Sequence, residues 1–131
     1  MEIHSIGSVT IIWLDRKAAV QAVKQAVRRL ARRRPEIRKV VLFGSLARGD
    51  AVPGSDADLL VVLADSDRPF LDRMPLYRPT RVPVGVDVFP YTEEELTEMI
   101  KESNAFVKRA LSEGMVIFER RGENGTAKSL I

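Results

Sequence analysis

The sequence predicts a single α/β (α+β) domain. The chain has 131 residues, 45% of them hydrophobic, which is enough for one domain with a core of its own. Two patterns indicate the class: a long stretch with apolar residues at helical spacing, and several short β-branched runs that alternate with helical segments. This order is typical of a sheet with helices packed against it.

The first predicted elements are a strand and a long helix. Residues 9–14 are rich in β-branched side chains and predict a strand, after which Asp15 is a suitable helix N-cap. Residues 17–34 carry an apolar stripe on one face and lysine and arginine on the other, so they predict an amphipathic helix. Pro35 ends it, because the residue before a proline avoids the helical conformation.

The centre of the chain carries two strands joined by a turn. Residues 39–43 and 58–63 are continuous apolar runs, typical of strands covered on both faces. Residues 44–49 predict a turn. After a long loop at 64–81, with a short helix near 70–74, residues 83–89 alternate in polarity and predict another strand.

Two short helices and a last strand are expected in the C-terminal part. Thr92 followed by Glu95 is a capping box, which predicts a helix to about Lys101. Asn104 is expected to cap a second helix, and Gly114 to end it before a strand at 115–118. We expect residues 1–119 to form the domain and the polar residues 120–131 to form a flexible tail.

Composition excludes several classes of function. The absence of cysteine removes disulfides, thiolate zinc sites and cysteine nucleophiles, and fits a cytoplasmic location. No apolar run is long enough to span a membrane, and no signal peptide is expected. The net charge of +3 is no strong nucleic-acid signal. The basic residues clustered at 28–39 indicate a solvated helix face, or alternatively a surface for phosphate or an acidic partner.

A glycine and a serine follow the apolar run at 39–43. Gly44 permits a sharp turn close to a ligand, and backbone N–H groups beyond it can hold phosphate oxygens. Ser45 adds a hydroxyl and Arg48 adds a cation. The glycine spacing also fits a Walker A loop, but Asp50 stands where the essential lysine is required, which excludes that loop.

Three aspartates are candidates for a metal site. Asp56 and Asp58 would lie on one face of a strand, with Cα atoms roughly 6.5 Å apart, where a divalent cation would relieve their repulsion. The alternative is a solvated pair at a strand end. If the strand at 83–89 lies beside 58–63, Asp87 completes a cluster that can hold two metals, or accepts a proton from an attacking hydroxyl.

These motifs together resemble those of the minimal nucleotidyltransferases of the DNA polymerase β superfamily, over about residues 38–90. The signature is an apolar strand, Gly44-Ser45, ten intervening residues, Asp56-x-Asp58 and a later acidic residue, here Asp87. The resemblance implies a mixed sheet with helices mainly on one face. It also implies transfer of a nucleoside monophosphate from a nucleoside triphosphate, with release of pyrophosphate.

The resemblance assigns roles to the same residues. Gly44 and Ser45 would bind the triphosphate, with Arg48 assisting, while Asp56 and Asp58 would hold the metals and Asp87 would complete the catalytic site. Mg²⁺, with Mn²⁺ as a substitute, is the expected cofactor, and ATP is the expected donor.

The acceptor is not determined by the sequence. Many minimal members of this kind are antitoxins that adenylylate a small helical toxin of the nucleotide-binding type, so such a partner is expected. One alternative is an aminoglycoside-like small molecule, although the acidic run at 93–95 is better explained as the first turn of a helix. Another is a binding module without catalysis. A homodimer through the strand at 9–14 also stays open.

Overall fold

The computed structural model describes residues 2–6, 9–13, 15–52 and 54–120. Six strands and five α-helices lie in this part of the chain, with a 3₁₀ helix at Met74–Tyr77. In chain order they are β1 (Glu2–Ile6), β2 (Val9–Trp13), α1 (Arg16–Arg33), β3 (Ile37–Phe43), α2 (Ser45–Arg48), β4 (Ala57–Leu63), α3 (Phe70–Arg73), β5 (Val86–Thr92), α4 (Glu93–Lys101), α5 (Ala105–Glu113) and β6 (Met115–Glu119).

The main sheet is mixed and has the strand order β5-β4-β3-β6. Strand β3 lies antiparallel to both β4 and β6, whereas β4 and β5 are parallel. Strands β1 and β2 pair with each other as a separate antiparallel hairpin. The α/β class is confirmed.

Helices cover both faces of the main sheet. Helix α1 packs on one face, where Val23 and Leu30 share a core with Leu42 and Val61. Helices α4 and α5 pack on the other, where Leu96 and Val107 share a second core with the strand residues Val41, Phe43, Leu60 and Val62. The expectation that the helices lie mainly on one face is therefore corrected. The reason is that β3 and β4 are apolar at successive positions, so both of their faces need cover.

Helix α1 forms for the reasons that its sequence indicates. The Asp15 carboxylate accepts a hydrogen bond from the Ala18 N–H at 3.2 Å, which is the expected N-cap. The helix ends at Arg33, two residues before Pro35. The residues of its apolar stripe are all buried, namely Ala19, Val20, Val23, Ala26, Val27 and Leu30. The capping box at Thr92 and the Asn104 cap are likewise confirmed, since each side chain accepts from the expected backbone N–H.

The strands differ most from the sequence prediction at β5 and β1. Strand β5 occupies Val86–Thr92 rather than 83–89, because its start is fixed by pairing of Val86 with Ala57. It passes through Pro90, which an edge strand tolerates because one side of its backbone has no partner strand. Strand β1 was not expected, and it pairs along one edge of β2. Whether a second copy pairs there as well stays a prediction.

The last described residue is held by several carbonyl groups. The Arg120 guanidinium donates to the carbonyl oxygens of Ala31, Pro35 and Ile37 at 2.8, 2.6 and 3.1 Å. It also stacks on the Phe118 ring, 5.2 Å from the ring centroid. The tail predicted at 120–131 lies outside the described residues from 121 onward. Within the described part of the chain, no helix is both long and apolar enough to cross a membrane.

A buried arginine connects α3, β5 and α4. The Arg73 side chain is almost fully buried and donates two hydrogen bonds to the Glu95 carboxylate, at 2.6 and 3.1 Å. It also donates to the carbonyl oxygens of Arg68 and Pro90. Glu95 in turn accepts from the Thr92 N–H and completes the capping box. The hydrogen bonds from Arg73 hold the pKa of the Glu95 carboxyl below its usual value.

Substitution of Glu95 by glutamine is expected to lower the free energy of unfolding at pH 7 by about 2 kcal/mol, because it leaves the Arg73 cation buried without its counter-charge. Glu98→Gln removes only an exposed pair with Lys101 and should cost less than about 0.5 kcal/mol. Urea denaturation of both variants measures this difference. Equal losses in the two variants would contradict it.

The same pair predicts a pH dependence. Because the pKa of Glu95 is lowered by folding, its contribution is fully present above the pKa of the unfolded carboxyl, whose ordinary value is 4.5. The contribution is lost as the pH falls through the lower pKa of the folded state. The difference in unfolding free energy between wild type and Glu95→Gln should therefore be constant above about pH 5 and shrink below about pH 4. Denaturation curves across this range test it.

Candidate functional site

The predicted phosphate turn joins β3 to α2. Gly44 has a φ of +78°, which side-chain-bearing residues rarely adopt. A Cβ atom placed on Gly44 would also collide with Oδ2 of Asp58. Glycine is therefore required here for two reasons: the backbone conformation and the close approach of a carboxylate from β4.

A second feature of the turn is its link to the end of α5. The Glu113 carboxylate accepts a hydrogen bond from the Gly44 N–H at 3.3 Å and another from the Arg48 guanidinium at 3.1 Å. Arg48 also donates to Asp50 at 3.2 Å. The bonds to Asp50 and Glu113 raise the pKa of Arg48, so it is fully charged. An anionic group of the protein thus occupies two donors that the sequence assigns to a nucleotide phosphate.

Helix α1 supports the turn from behind. Arg16, in its first turn, donates to the carbonyl oxygens of Leu46 and Ala47, both at 2.9 Å. Its side chain passes close to Gly49, where a Cβ would lie 3.7 Å from the Arg16 Nε atom. The carbonyl groups at the end of α2, which this short helix cannot satisfy itself, are therefore paired.

The structure brings Asp58 and Asp87 next to each other. The parallel register of β4 and β5 places the two residues directly opposite, and Asp58 is also opposite Phe43 at the end of β3. Side chains two residues apart on a strand share a face. Leu60 and Phe89, two residues beyond each aspartate, belong to the core under α4 and α5, so both aspartates point to that face.

Asp56 lies just before β4, and its carboxylate approaches Gly85, just before β5. A Cβ atom on Gly85 would collide with its Oδ1 atom, so Gly85 leaves the space that this carboxylate occupies. Asp56 and Asp58 therefore approach different neighbours, Gly85 and Gly44. Asp56 and Asp87 are exposed and Asp58 is half-buried. Asp87 is accessible because it lies near the start of β5.

The electrostatics of Asp58 indicate repulsion among the three carboxylates. Its pKa is raised, first because partial burial disfavours the charged form and then because of the negative charges of Asp87 and Asp56. Arg48 acts in the opposite direction, and Glu113 adds further negative charge. Nearby positive charge therefore does not compensate for burial and repulsion.

The donor chemistry fits a hard divalent cation. Carboxylate oxygens are the ligands that Mg²⁺ prefers, and a cation would relieve the repulsion seen at Asp58. In the described ranges, however, no three acidic or histidine side chains converge as a ready-made metal site. The opposite leanings of Asp56 and Asp58 are consistent with this. Binding through all three would therefore require their side chains to turn toward one another.

A cavity of about 580 Å³ lies beside the phosphate turn. The turn contributes Gly44, Ser45 and Arg48 to its lining, and β4 contributes Asp58. The remaining lining residues are Phe43, Ala105, Phe106, Arg109 and Glu113. A volume of this size is within the range of small-ligand sites. The predicted nucleotide-binding residues therefore share one cavity.

Sequence reasoning missed the contribution of α5. Phe106, Arg109 and Glu113 follow one another at intervals of three and four, so they share a helix face. The sequence shows that these residues share a helix face. It does not show what that face lines, because that depends on how α5 packs against β3. The Phe106 ring contacts Phe43 and Phe89, with centroids 5.6 and 5.0 Å apart. These three rings form an apolar wall next to the carboxylates.

Comparison with known proteins agrees with this geometry. The family model described as "Nucleotidyltransferase domain" matches residues 23–114, which is more than half of the chain. The protein belongs to the nucleotidyltransferase family. It is a nucleotidyltransferase enzyme, and the resemblance drawn from residues 38–90 is confirmed. The match covers the phosphate turn, the three aspartates and α5.

Two relatives of this nucleotidyltransferase come from Methanocaldococcus jannaschii, and both bear the name "putative protein adenylyltransferase". One is 33% identical over 99 residues, which cover 75% of this chain and 96% of the relative. The other is 31% identical over 85 residues, which cover 62% of this chain and 58% of the relative.

Solved structures also match the nucleotidyltransferase. A structure described as a "putative nucleotidyltransferase" from Sulfolobus solfataricus is 25% identical, with a TM-score of 0.55, and the match covers 80% of this chain and 84% of that one. A structure titled as a toxin–antitoxin with AMP-PNP is 19% identical, with a TM-score of 0.50, over 74% and 73% of the two chains. The latter likeness concerns the fold.

The contacts of Glu113 predict that it competes with phosphate. Glu113→Gln removes a negative charge from the Gly44 N–H and Arg48, so tripolyphosphate should bind at least about threefold more tightly to the variant. Glu102→Gln, which neutralises an exposed carboxylate at the end of α4, is the matched control. Isothermal titration at low salt measures both. Equal or weaker binding by Glu113→Gln would show that this carboxylate does not occupy the anion site.

Proposed function

We propose that this nucleotidyltransferase transfers AMP from ATP to a hydroxyl group of a partner protein and releases pyrophosphate. The observation that carries the proposal is that Asp58, which lies directly opposite Asp87 in the sheet, lines the same cavity as Gly44, Ser45 and Arg48. Phosphate donors and carboxylates thus border the same space, as transfer of a phosphorus group requires.

The turn is proposed to hold the triphosphate. The Gly44 N–H, the Ser45 hydroxyl and the Arg48 guanidinium are donors at the cavity wall, and a triphosphate would take the place of the Glu113 carboxylate on Gly44 and Arg48. The rings of Phe43 and Phe106 offer an apolar surface for the base. Because Arg16 holds the carbonyl groups of Leu46 and Ala47, the backbone of the turn is fixed, and the rearrangement needed is the departure of the Glu113 side chain.

Asp87 is proposed to receive the proton of the acceptor. The acceptor oxygen bonds to the α-phosphorus as the bond from that phosphorus to the pyrophosphate oxygen breaks, and the hydroxyl proton passes to a carboxylate. Asp87 suits this role because it is exposed and opposite Asp58, so a hydroxyl from outside can reach it.

Asp56 and Asp58, with Asp87, would hold Mg²⁺, or Mn²⁺ in its place. When bound, the metal would supply positive charge to the phosphate oxygens and acidity to the attacking hydroxyl. The residues of the chain position these groups: Gly85 leaves room for Asp56, and Gly44 leaves room for Asp58.

A protein acceptor is favoured by two observations. The relative that matches over 96% of its length is named for protein adenylylation. Two of the three aspartates are exposed, which leaves them accessible to a second polypeptide. A helical toxin encoded beside this gene is the proposed partner, with this chain as its antitoxin. The fold is shared with a structure titled as a toxin–antitoxin with AMP-PNP.

Labelled ATP tests the reaction directly. With Mg²⁺ and the product of the neighbouring gene, wild type should transfer label from [α-³²P]ATP to the partner. Asp58→Asn and Asp87→Asn should each reduce the initial rate about a hundredfold or more, because each removes a charge at the reacting centre. Asp67→Asn, in an exposed loop away from the cavity, should keep the wild-type rate.

The outcomes separate catalysis from binding alone. Loss of label in both active-site variants, with wild-type folding by circular dichroism, supports the proposal. If Asp56→Asn combined with Asp58→Asn still neutralises the partner fully in cells, contact rather than transfer is the function. If no label reaches the partner but a small cationic molecule is labelled, the proposed protein acceptor is wrong and a small molecule takes its place.

Gly85→Ala should act through Asp56. Gly85 does not have a positive φ, so alanine fits the backbone and disturbs mainly the carboxylate that its Cβ would meet. We expect the rate to fall at least about tenfold with a small change in melting temperature. In an Asp56→Asn background the same change should cost little more, and a double-mutant cycle measures this coupling. If the losses of rate from the two substitutions are additive, Gly85→Ala does not act through Asp56.

A further inference from the structure

Helix α1 has an exposed face of a single charge sign. Its 18 residues include seven lysines and arginines and no acidic residue. Exposed helix faces normally mix both signs, because pairs of opposite charge three or four residues apart stabilise the helix. Arg32 and Arg33 in the last turn interact favourably with the helix dipole, but this effect does not account for the basic residues earlier in the helix.

The basic face borders a groove of about 330 Å³. Helix α1 forms one side of it and the segment that leads to β5 forms the other. Its lining residues are Ala26, Arg29, Arg32, Arg33, Thr80 and Arg81. Four guanidinium side chains therefore line one concave surface, and it is separate from the cavity next to the phosphate turn.

Two observations indicate that the arginines of this groove are held in specific positions. The Arg29 guanidinium donates to the Thr80 carbonyl oxygen at 3.0 Å, which fixes it across the groove. Arg81 has a φ of +61°, a conformation that is uncommon for residues other than glycine, asparagine and aspartate. Between residues 15 and 120, as far as they are described, no carboxylate forms an ion pair with any of the four arginines.

The lining favours phosphate over a protein surface. A protein-docking site normally contains an apolar or aromatic anchor, whereas Ala26 is the one apolar side chain here. Guanidinium groups bind phosphate oxygens in a bidentate manner. The lining has no aromatic ring on which an unpaired base could stack, which argues against a single strand.

We infer that this groove binds the phosphate backbone of a nucleic-acid duplex, without reading its bases. Arg29 and Arg33 are one helical turn apart, about 6 Å along α1, so they can contact different phosphates. Arg16 touches the carbonyl groups beside the phosphate turn, and Arg32 lies 16 residues further along, about 24 Å away. The groove and the phosphate turn therefore lie near opposite ends of α1.

Fluorescence anisotropy with a labelled DNA duplex of about 20 base pairs tests the inference on the full chain. We expect Arg32→Gln with Arg33→Gln to weaken binding at least about tenfold at low salt. The plot of log affinity against log salt concentration should lose roughly two from its slope, because two phosphate contacts are removed. Arg81→Gln, on the other wall of the groove, should weaken binding in the same direction.

The control pair is Lys101→Gln with Lys108→Gln. It removes the same net charge from exposed positions on α4 and α5 and should change affinity less than about twofold. Circular dichroism and ATP affinity should be unchanged in both pairs. Equal losses in the two pairs, or no binding by wild type at low salt, would overturn the inference. Displacement of the duplex by polyglutamate at equal charge would also overturn it, in favour of an acidic protein partner.

Discussion

The parallel pairing of β4 with β5 is the constraint on which the site depends. It sets Asp58 opposite Asp87 although like charges repel. The pKa of Asp58 is raised first by partial burial and then by the negative charges of Asp87 and Asp56. The apolar residues of β4 behind Asp58 are buried in the two cores, so the backbone ladder cannot separate at this end without exposing them. Packing of the strands thus maintains an electrostatic arrangement that would be unfavourable by itself.

Negative and positive groups occupy different parts of the site. Carboxylates gather at the start of β4 and β5, whereas backbone N–H groups and Arg48 gather at the turn after β3. The Glu113 carboxylate accepts hydrogen bonds from Gly44 and Arg48 in the turn, and it also adds to the negative charge that acts on Asp58. A nucleotide phosphate would therefore meet a cation that already has a partner, so exchange of one anion for another sets its affinity.

Much of this arrangement was readable from the sequence, for local reasons. The caps at Asp15, Thr92 and Asn104 depend on residues three apart and are confirmed. Spacing and residue type also pointed to Gly44, Asp56, Asp58 and Asp87, whose roles stay predictions. The role of α5 was not readable, because it depends on which helix face meets β3. The packing of helices on both sheet faces and the start of β5 were also not predicted, because each is decided by contacts between segments that are distant in the chain.

Arg120 has a practical consequence. It ties the end of β6 to carbonyl groups at the start of β3 and the end of α1, while the turn at Gly44 follows the far end of β3. Residue 120 therefore lies at the end of the sheet opposite the carboxylates. A fluorophore or surface tether attached at this end of the sheet would lie away from the carboxylates and leave the approach of a large acceptor open, so immobilised protein should remain competent for kinetic measurements.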